Sequence, residues 1–248
     1  MEFPLYLLVL FLIIAFVYGS VGHGGASGYI AVLTLTGFFS PELVPIVLIL
    51  NILVSSVALF NYGSHGHFEW PLFWPFAITS IPAAFFGGYI TFEANVFFTI
   101  VGFVLLAMAV IVFIRTIRKE EIEQNRSVNN QVAMLSGLGI GFISGLIGVG
   151  GGIFLTPFML FLGWGKLKNI AAVSALFILV NSTSGIIGHT VTSEIQWSLA
   201  LYFVIPVVIG GFLGSRFGVK SVKAFYIQYL LAVVLLIAGI KMLAQYVF

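Results

Sequence analysis

No cysteine occurs in the 248 residues, which excludes disulfides, thiolate metal sites and a cysteine nucleophile and leaves the redox compartment unreadable. Charge is nearly as scarce, at 7% of residues, too little to cover a water-soluble surface. Ten basic side chains against eight acidic ones leave +2, a balance that points to no nucleic acid and no acidic partner. What is abundant is apolar: 60% of residues are hydrophobic and the mean hydropathy is +1.17. The chain is therefore expected to be an integral membrane protein whose first partner is the lipid bilayer. Its opening MEFPLYLLVLFLIIAFVYGS carries one early charge, Glu2, and runs through a Gly-rich stretch into more apolar sequence, so it reads as mature structure rather than a signal peptide.

Apolar runs fall at about 4–39, 43–63, 71–91, 95–115, 132–163, 169–190, 197–217 and 223–247. Most are close to the ~20 residues of a spanning helix. The one long polar segment, 116–131, divides the chain into repeats expected at 1–115 and 132–248. A self-comparison supports the division. GSVGHGGASG at 19–28 aligns without gaps on GLIGVGGGIF at 145–154, an offset of 126 residues. At nearby offsets LILN at 48–51 matches ILVN at 178–181, Trp70 matches Trp197, and Ile81-Pro82 with Gly87-Gly88 matches Ile205-Pro206 with Gly210-Gly211. Landmarks in the same order indicate duplication.

The first and fifth runs each exceed 30 residues, and a straight helix of that length reaches ~50 Å in a ~30 Å hydrocarbon layer. Both are broken by glycines near the middle, the pattern of two half-helices that enter and leave by one face. Lys and Arg placement separates the two topologies. If all eight runs span and the linker is cytoplasmic, Arg115, Arg118, Lys119, Arg126 and Lys241 lie inside, against Lys166, Lys168, Arg216, Lys220 and Lys223 outside: five to five. If the first and fifth runs re-enter, the latter five move inside and Lys241 goes outside: nine to one. The expected fold is all-α and integral to the membrane, two inverted repeats of four elements, each a broken hairpin plus three transmembrane helices, with the 116–131 linker cytoplasmic.

In such hairpins the second half-helices, starting near Ser27 and Ile153, aim their N-termini at the bilayer centre, where free N–H groups and partial positive charge suit an anion. Gly22, Gly24, Gly25, Gly148, Gly150, Gly151 and Gly152 are candidates to bring backbone up to it, although membrane glycines also serve close helix contact. Asn51 with Ser55, and Asn181 with Ser182, add uncharged donors, the alternative role being interhelical bonding. His23 sits inside the first loop where Val149 occupies the second, the one ionisable group at the proposed centre. No GK[ST] follows a strand, which removes the nucleotide-loop reading. His65, His67 and His189 lie near run ends and are too sparse for a metal centre, and Glu42, Glu69, Glu93 and Glu194 fall in expected loops. No catalytic residue, metal site or cofactor is expected.

The run GFISGLIGVGGGIFLTP at 141–157, followed by IAAVSALFILVNSTSG at 170–185 and by the tail from His189 through Trp197 to GGFLGSR at 210–216, resembles the signature of the sulfite exporter TauE/SafE family. The resemblance covers essentially the whole chain, though the first repeat carries GHGGAS where the second carries GVGGGIF and lacks a counterpart of Pro157. It implies a cell-membrane permease for sulfite, organosulfonates and related sulfur-containing or carboxylate anions. The expectation is a secondary transporter of a small oxyanion, driven by protons or another coupling ion and open to homo-oligomer assembly. An anion channel and a carboxylate transporter are the alternatives, and a membrane enzyme is disfavoured by the missing acid/base set.

Overall fold

The computed structural model describes residues 4–118, 127–191, 195, 197–220 and 225–246, and among these the regular elements are all helical. They are α1 (Tyr6–Gly19), α2 (Ala26–Thr36), α3 (Val44–Ser64, entered through a 3-10 turn at Pro41–Leu43), α4 (Trp70–Tyr89), α5 (Ala94–Arg118), α6 (Asn130–Ile147), α7 (Gly152–Leu162), α8 (Leu167–Thr190), α9 (Trp197–Lys220) and α10 (Phe225–Tyr246). Among the described residues, five helices, α3 with its 3-10 turn, α4, α6, α8 and α9, are long and apolar enough to cross a membrane. Large apolar side chains such as Ile13, Ile78, Phe86, Phe103, Leu138, Leu201 and Ile205 stand exposed on the outer surface, as a lipid-facing belt requires. This is a multi-pass membrane protein.

Both overlong runs break at their glycines. The arms are unequal: α1 and α6 have 14 and 18 residues, about 21 and 27 Å, whereas α2 and α7 have 11 each, about 16 Å. The short arms start at Ala26 and Gly152, one residue earlier than the pattern suggests. At its borders with the polar segment, α5 continues to Arg118, and Asn129 caps α6 by accepting from the N–H groups of Gln131 and Val132 at 3.1 and 3.2 Å. Lys119, Arg126, Glu194 and Lys223 lie outside the described residues.

The 126-residue offset reappears in backbone geometry. Gly22, Gly25 and Gly37 have positive φ, and so do Gly148, Gly151 and Gly163, each 126 residues later. The α1 and α6 ends close alike, with His23 N donating to Tyr18 O at 2.9 Å and Val149 N to Ser144 O at 3.1 Å.

Close contacts fix helix direction. Gly137, Gly141 and Gly145 of α6 meet Phe76, Ser80 and Ala84 of α4 in the same order, so the two run parallel. Gly210, Gly214 and Gly218 of α9 meet Leu12, Phe16 and Ser20 of α1 likewise. Small residues at four-residue spacing let two backbones touch, and here the touching atoms are carbonyl oxygens. Gly87 meets Phe142 O as Gly214 meets Phe16 O, so the structural counterpart of Gly87 is Gly214, not Gly210 as the alignment pairs them. Val54, Asn61 and Tyr62 meet Gly211, Ser215 and Gly218, making α3 parallel to α9 and hence to α1. Two consecutive long helices that run the same way require the chain to return between them, and α2 is that return. Ile81 and Phe85 meet Ser184 and Gly188, so α8 parallels α4 and α6, with α7 as the return.

Leu48 meets Gly185 and Asn51 meets Ser182, while Tyr62 clusters with Ala171, so α3 and α8 are antiparallel. Gly102 against Leu243 and Gly239 against Leu106 make α5 and α10 antiparallel too. At one end of the molecule Ser127 and Asn130, before and at the start of α6, share a cleft with Trp164 and Lys166, which follow α7. Lys168 donates to Val219 O at 2.8 Å at that end, and Asn169 to Glu69. Lys241 donates to Leu35 O at 2.9 Å, beside the end of α2.

Candidate functional site

The two glycine breaks meet at the centre of the molecule. Gly25 and Gly151 are the N-caps of α2 and α7, both left-handed at φ 100° and 81° and without a side-chain cap. Only glycine takes that conformation at no steric cost, and a bare cap leaves first-turn N–H groups without intrahelical partners. Two helix N-termini thus face inward with no acidic side chain in either first turn. Their partial positive charges add where no formal charge competes.

Asn51, buried at 1% exposure, ties the breaks together. Its Oδ1 accepts from Ala26 N at 3.1 Å, and its Nδ2 donates to Ser182 Oγ at 2.9 Å and reaches Val149 O at 3.5 Å. One carboxamide therefore touches α2, α8 and the second break. His23 makes the other link: Nδ1 lies 3.0 Å from Val21 O and Nε2 lies 3.0 Å from Gly152 O, across 129 residues. A methyl on Gly24 would collide with Asn51 Oδ1, and one on Gly150 with Asn51 Nδ2 and Ser182 Oγ. Close contact and site formation are the same property at these glycines.

Of the sequence-derived candidates, His23, Gly24, Asn51, Gly150, Gly152 and Ser182 come together here. Gly25 faces the Tyr29 ring and Gly151 the Phe177 ring on opposite flanks. Gly22 packs on Ala171 and Gly148 on Val44, so these two position the breaks rather than line them. Ser27 pairs with the Tyr18 hydroxyl at 2.7 Å, and Ser55 bonds to Ile52 O in its own helix at 3.1 Å. Asn181 donates to Phe177 O of its own helix at 2.8 Å and keeps a buried Oδ1 without a partner, so it does not mirror Asn51. Ser182 is the residue that answers Asn51.

Tyr18 and Ser144 were missed. Each precedes the aligned glycines, Gly19 and Gly145, by one residue, and extending the self-comparison one position back would have paired them. Both are buried, and the Ser144 hydroxyl has no partner beside Gly151.

Aromatic layers close the centre on both sides. Towards one end Phe11 stacks on Tyr29 and Phe203, with centroids 4.7 and 4.1 Å apart. Towards the other, Phe76 meets Phe177, Trp164 and Phe158 at 6.5, 6.0 and 6.2 Å. Beyond this second layer lies a cleft of about 550 Å³ lined by Glu69, Leu72, Trp74, Trp164, Lys166 and Asn169. The cleft outside Phe11 and Phe203 holds about 10 Å³. Among the described residues no three His or Glu side chains gather as metal ligands. His67 lies in the α3–α4 loop, where burial first, then the charges of Lys168 and His65, hold its imidazole below the usual value and hence neutral at pH 7.

A bundle of apolar helices around two broken, glycine-capped helices is the architecture of a membrane transporter. The chain belongs to the Sulfite exporter TauE/SafE family, whose model matches residues 7–242. It is 34% identical over 239 residues to the probable membrane transporter protein y4hK of Sinorhizobium fredii, covering 96% of this chain and 97% of that one. It is also 26% identical over 247 residues to the probable membrane transporter protein YjnA of Bacillus subtilis, covering 91% and 94%. A probable membrane transporter protein of Methanocaldococcus jannaschii is 24% identical over 263 residues, with 96% of each chain covered. No solved structure matches the chain.

Proposed function

We propose that this membrane transporter is a secondary carrier of a small sulfur-containing oxyanion, sulfite or an organosulfonate, bound at the midplane between the starts of α2 and α7. The observation that carries the reading is the meeting of two helix N-termini with glycine N-caps, joined by Asn51 and His23, in a centre without Lys or Arg. Helix ends and neutral donors compensate an oxyanion without gripping it as a guanidinium does, so release stays possible. The family's name supports sulfite as the substrate class.

The repeats, 1–115 and 132–248, are read as inverted: matching helices run antiparallel, and each half is a re-entrant hairpin plus three crossings. Access then alternates by rocking one half against the other around the fixed centre, with Phe76, Phe177 and Trp164 gating one side and Phe11, Tyr29 and Phe203 the other. Gathering of Lys166 and Lys168 at the linker end supports a cytoplasmic linker in the cell membrane. A channel needs a continuous polar path, and aromatic layers on both sides of the centre weigh against it.

The test is uptake into proteoliposomes of sulfite, an alkanesulfonate, sulfate and a carboxylate. Saturable movement of sulfite or sulfonate ahead of sulfate supports the reading. Preferred movement of the carboxylate replaces the substrate, voltage-driven current far above carrier turnover replaces the carrier by a channel, and no movement or binding of any anion removes the reading.

A further inference from the structure

The two helix starts differ in what surrounds them. At α2, Asn51 Oδ1 already accepts from Ala26 N at 3.1 Å, in the manner of a capping side chain. At α7, the α8 side chain packed on both Gly150 and Gly152 is Ile178, which accepts nothing, and the Ser182 hydroxyl beside it is engaged with Asn51 Nδ2 at 2.9 Å. The carboxamide at the centre thus serves α2 as its acceptor, and a ligand anion would serve α7.

Two buried polar side chains flank the α7 start with bonding capacity unused. Ser144, in the last turn of α6, is fully buried, and its Cβ lies 3.3 Å from the place a methyl on the cap residue Gly151 would take. Ser55, Ser56 and Ser215 turn their hydroxyls to carbonyls of their own helices, as membrane serines do, but the Ser144 hydroxyl has no partner. Asn181, 1% exposed, stands one turn along α8 from Phe177, whose ring packs on the other side of Gly151. Its Nδ2 donates to Phe177 O at 2.8 Å, and because a carbonyl only accepts, this bond fixes how the amide is turned and leaves Oδ1 unpaired. Among the described residues the other buried side-chain atoms without a partner are the hydroxyls of Tyr29, Thr34, Ser80 and Ser144, which can rotate to donate. Asn181 Oδ1 differs from all of them in that it can only accept.

We propose that Ser144 and Asn181 complete the anion site at the α7 start and set its selectivity: the Ser144 hydroxyl donates to an oxygen of the anion, and Asn181 Oδ1 accepts from a hydroxyl that the same ligand carries. The substrate class is then a hydroxyalkanesulfonate. This rests on the anion reading above and narrows it. A sulfonate group supplies acceptors for the helix start and for Ser144, but it has nothing to give Asn181. A plain alkyl tail leaves Oδ1 buried and unpaired, and a tail hydroxyl removes that penalty, so a site of this kind rejects the isostere that lacks the donor.

The test compares 2-hydroxyethanesulfonate with propane-1-sulfonate, which have the same length and charge and differ by a hydroxyl in place of a methyl. Calorimetric titration of the purified wild-type protein in detergent is expected to give about tenfold tighter binding of the hydroxy compound. Asn181→Leu, which replaces the amide by an apolar group of similar size, is expected to bind the two with equal constants. Ser144→Ala is expected to weaken both by about tenfold without lowering the melting midpoint, because the hydroxyl it removes has no partner in the protein. Equal binding of the two sulfonates by the wild-type protein, or tighter binding of propane-1-sulfonate, overturns the selectivity without recourse to any variant. A preference that survives Asn181→Leu overturns the part given to Asn181, and wild-type affinities in Ser144→Ala overturn the part given to Ser144. Binding of sulfite with neither sulfonate overturns the proposal and leaves the anion site standing. If the wild-type protein binds none of the three, the functional reading fails and takes the proposal with it.

Discussion

Replacing Asn51 with Ala removes the side chain that joins α2, α8 and the second break. The lost bonds run to Ala26 N at 3.1 Å and Ser182 Oγ at 2.9 Å, with a third, longer contact to Val149 O at 3.5 Å. Ser182 is free to turn its hydroxyl to a carbonyl of its own helix one turn back, as membrane serines do. Ala26 N–H has no such alternative, because it opens a helix and is buried. Stranding one buried donor costs about 1–3 kcal/mol, and the void adds about 1 kcal/mol more. A loss of roughly 2–4 kcal/mol lowers the melting midpoint by roughly 5–15 °C for a chain this size. Thermal melting in detergent measures it beside sulfite uptake. Asn51→Asp separates stability from function: it keeps an acceptor for Ala26 N but places negative charge where the anion sits. It is therefore expected to melt closer to wild type than the Ala variant while losing uptake at least as completely. A midpoint for Asn51→Ala within 1 °C of wild type, or wild-type uptake by Asn51→Asp, refutes the reasoning.

Three further outcomes follow from the same contacts. Gly141→Leu forces a side chain into Ser80 of α4 and is expected to cost at least ~1–3 kcal/mol, whereas Gly139→Leu, with open space at its Cα, leaves melting unchanged; equal melting of the two removes the helix-contact argument. Gly24→Ala drives a methyl into Asn51 and should reduce sulfite uptake more than tenfold while the protein remains monodisperse in detergent, a result read from initial rates. Because the chain has no cysteine, Ser127→Cys and Lys166→Cys give background-free labelling, and both should react with an impermeant thiol reagent from one face, with Glu42→Cys reacting from the other; labelling of the first two from opposite faces breaks the hairpin.

The glycine breaks were legible because two features coincide in sequence: apolar runs too long for one crossing, and glycines clustered at their middle. The offset of 126 residues carried over into φ angles at Gly22, Gly25 and Gly37 and their partners, since backbone conformation follows local sequence. Contacts between halves were not legible. That Asn51 meets Ser182 rather than Asn181 depends on helix rotation, which a motif alignment does not contain. The correspondence of Gly87 with Gly214 was hidden similarly, because Gly-Gly pairs attract each other in an alignment while the real register is set by which carbonyl each glycine touches. His23 was recognisable as an ionisable group in an apolar centre, but its bridge to Gly152 O spans 129 residues and emerges only in three dimensions.

The proposed anion site lies between the starts of α2 and α7. The most direct measurement is an experimental structure of the protein with selenite, whose selenium marks its own position in anomalous scattering. A selenium peak is expected within hydrogen-bonding reach of the Gly24–Ser27 and Gly150–Ile153 backbones and of Asn51 or Ser182, lost in Asn51→Asp. A peak confined to the cleft at Lys166 and Asn169, with the centre unchanged, contradicts it.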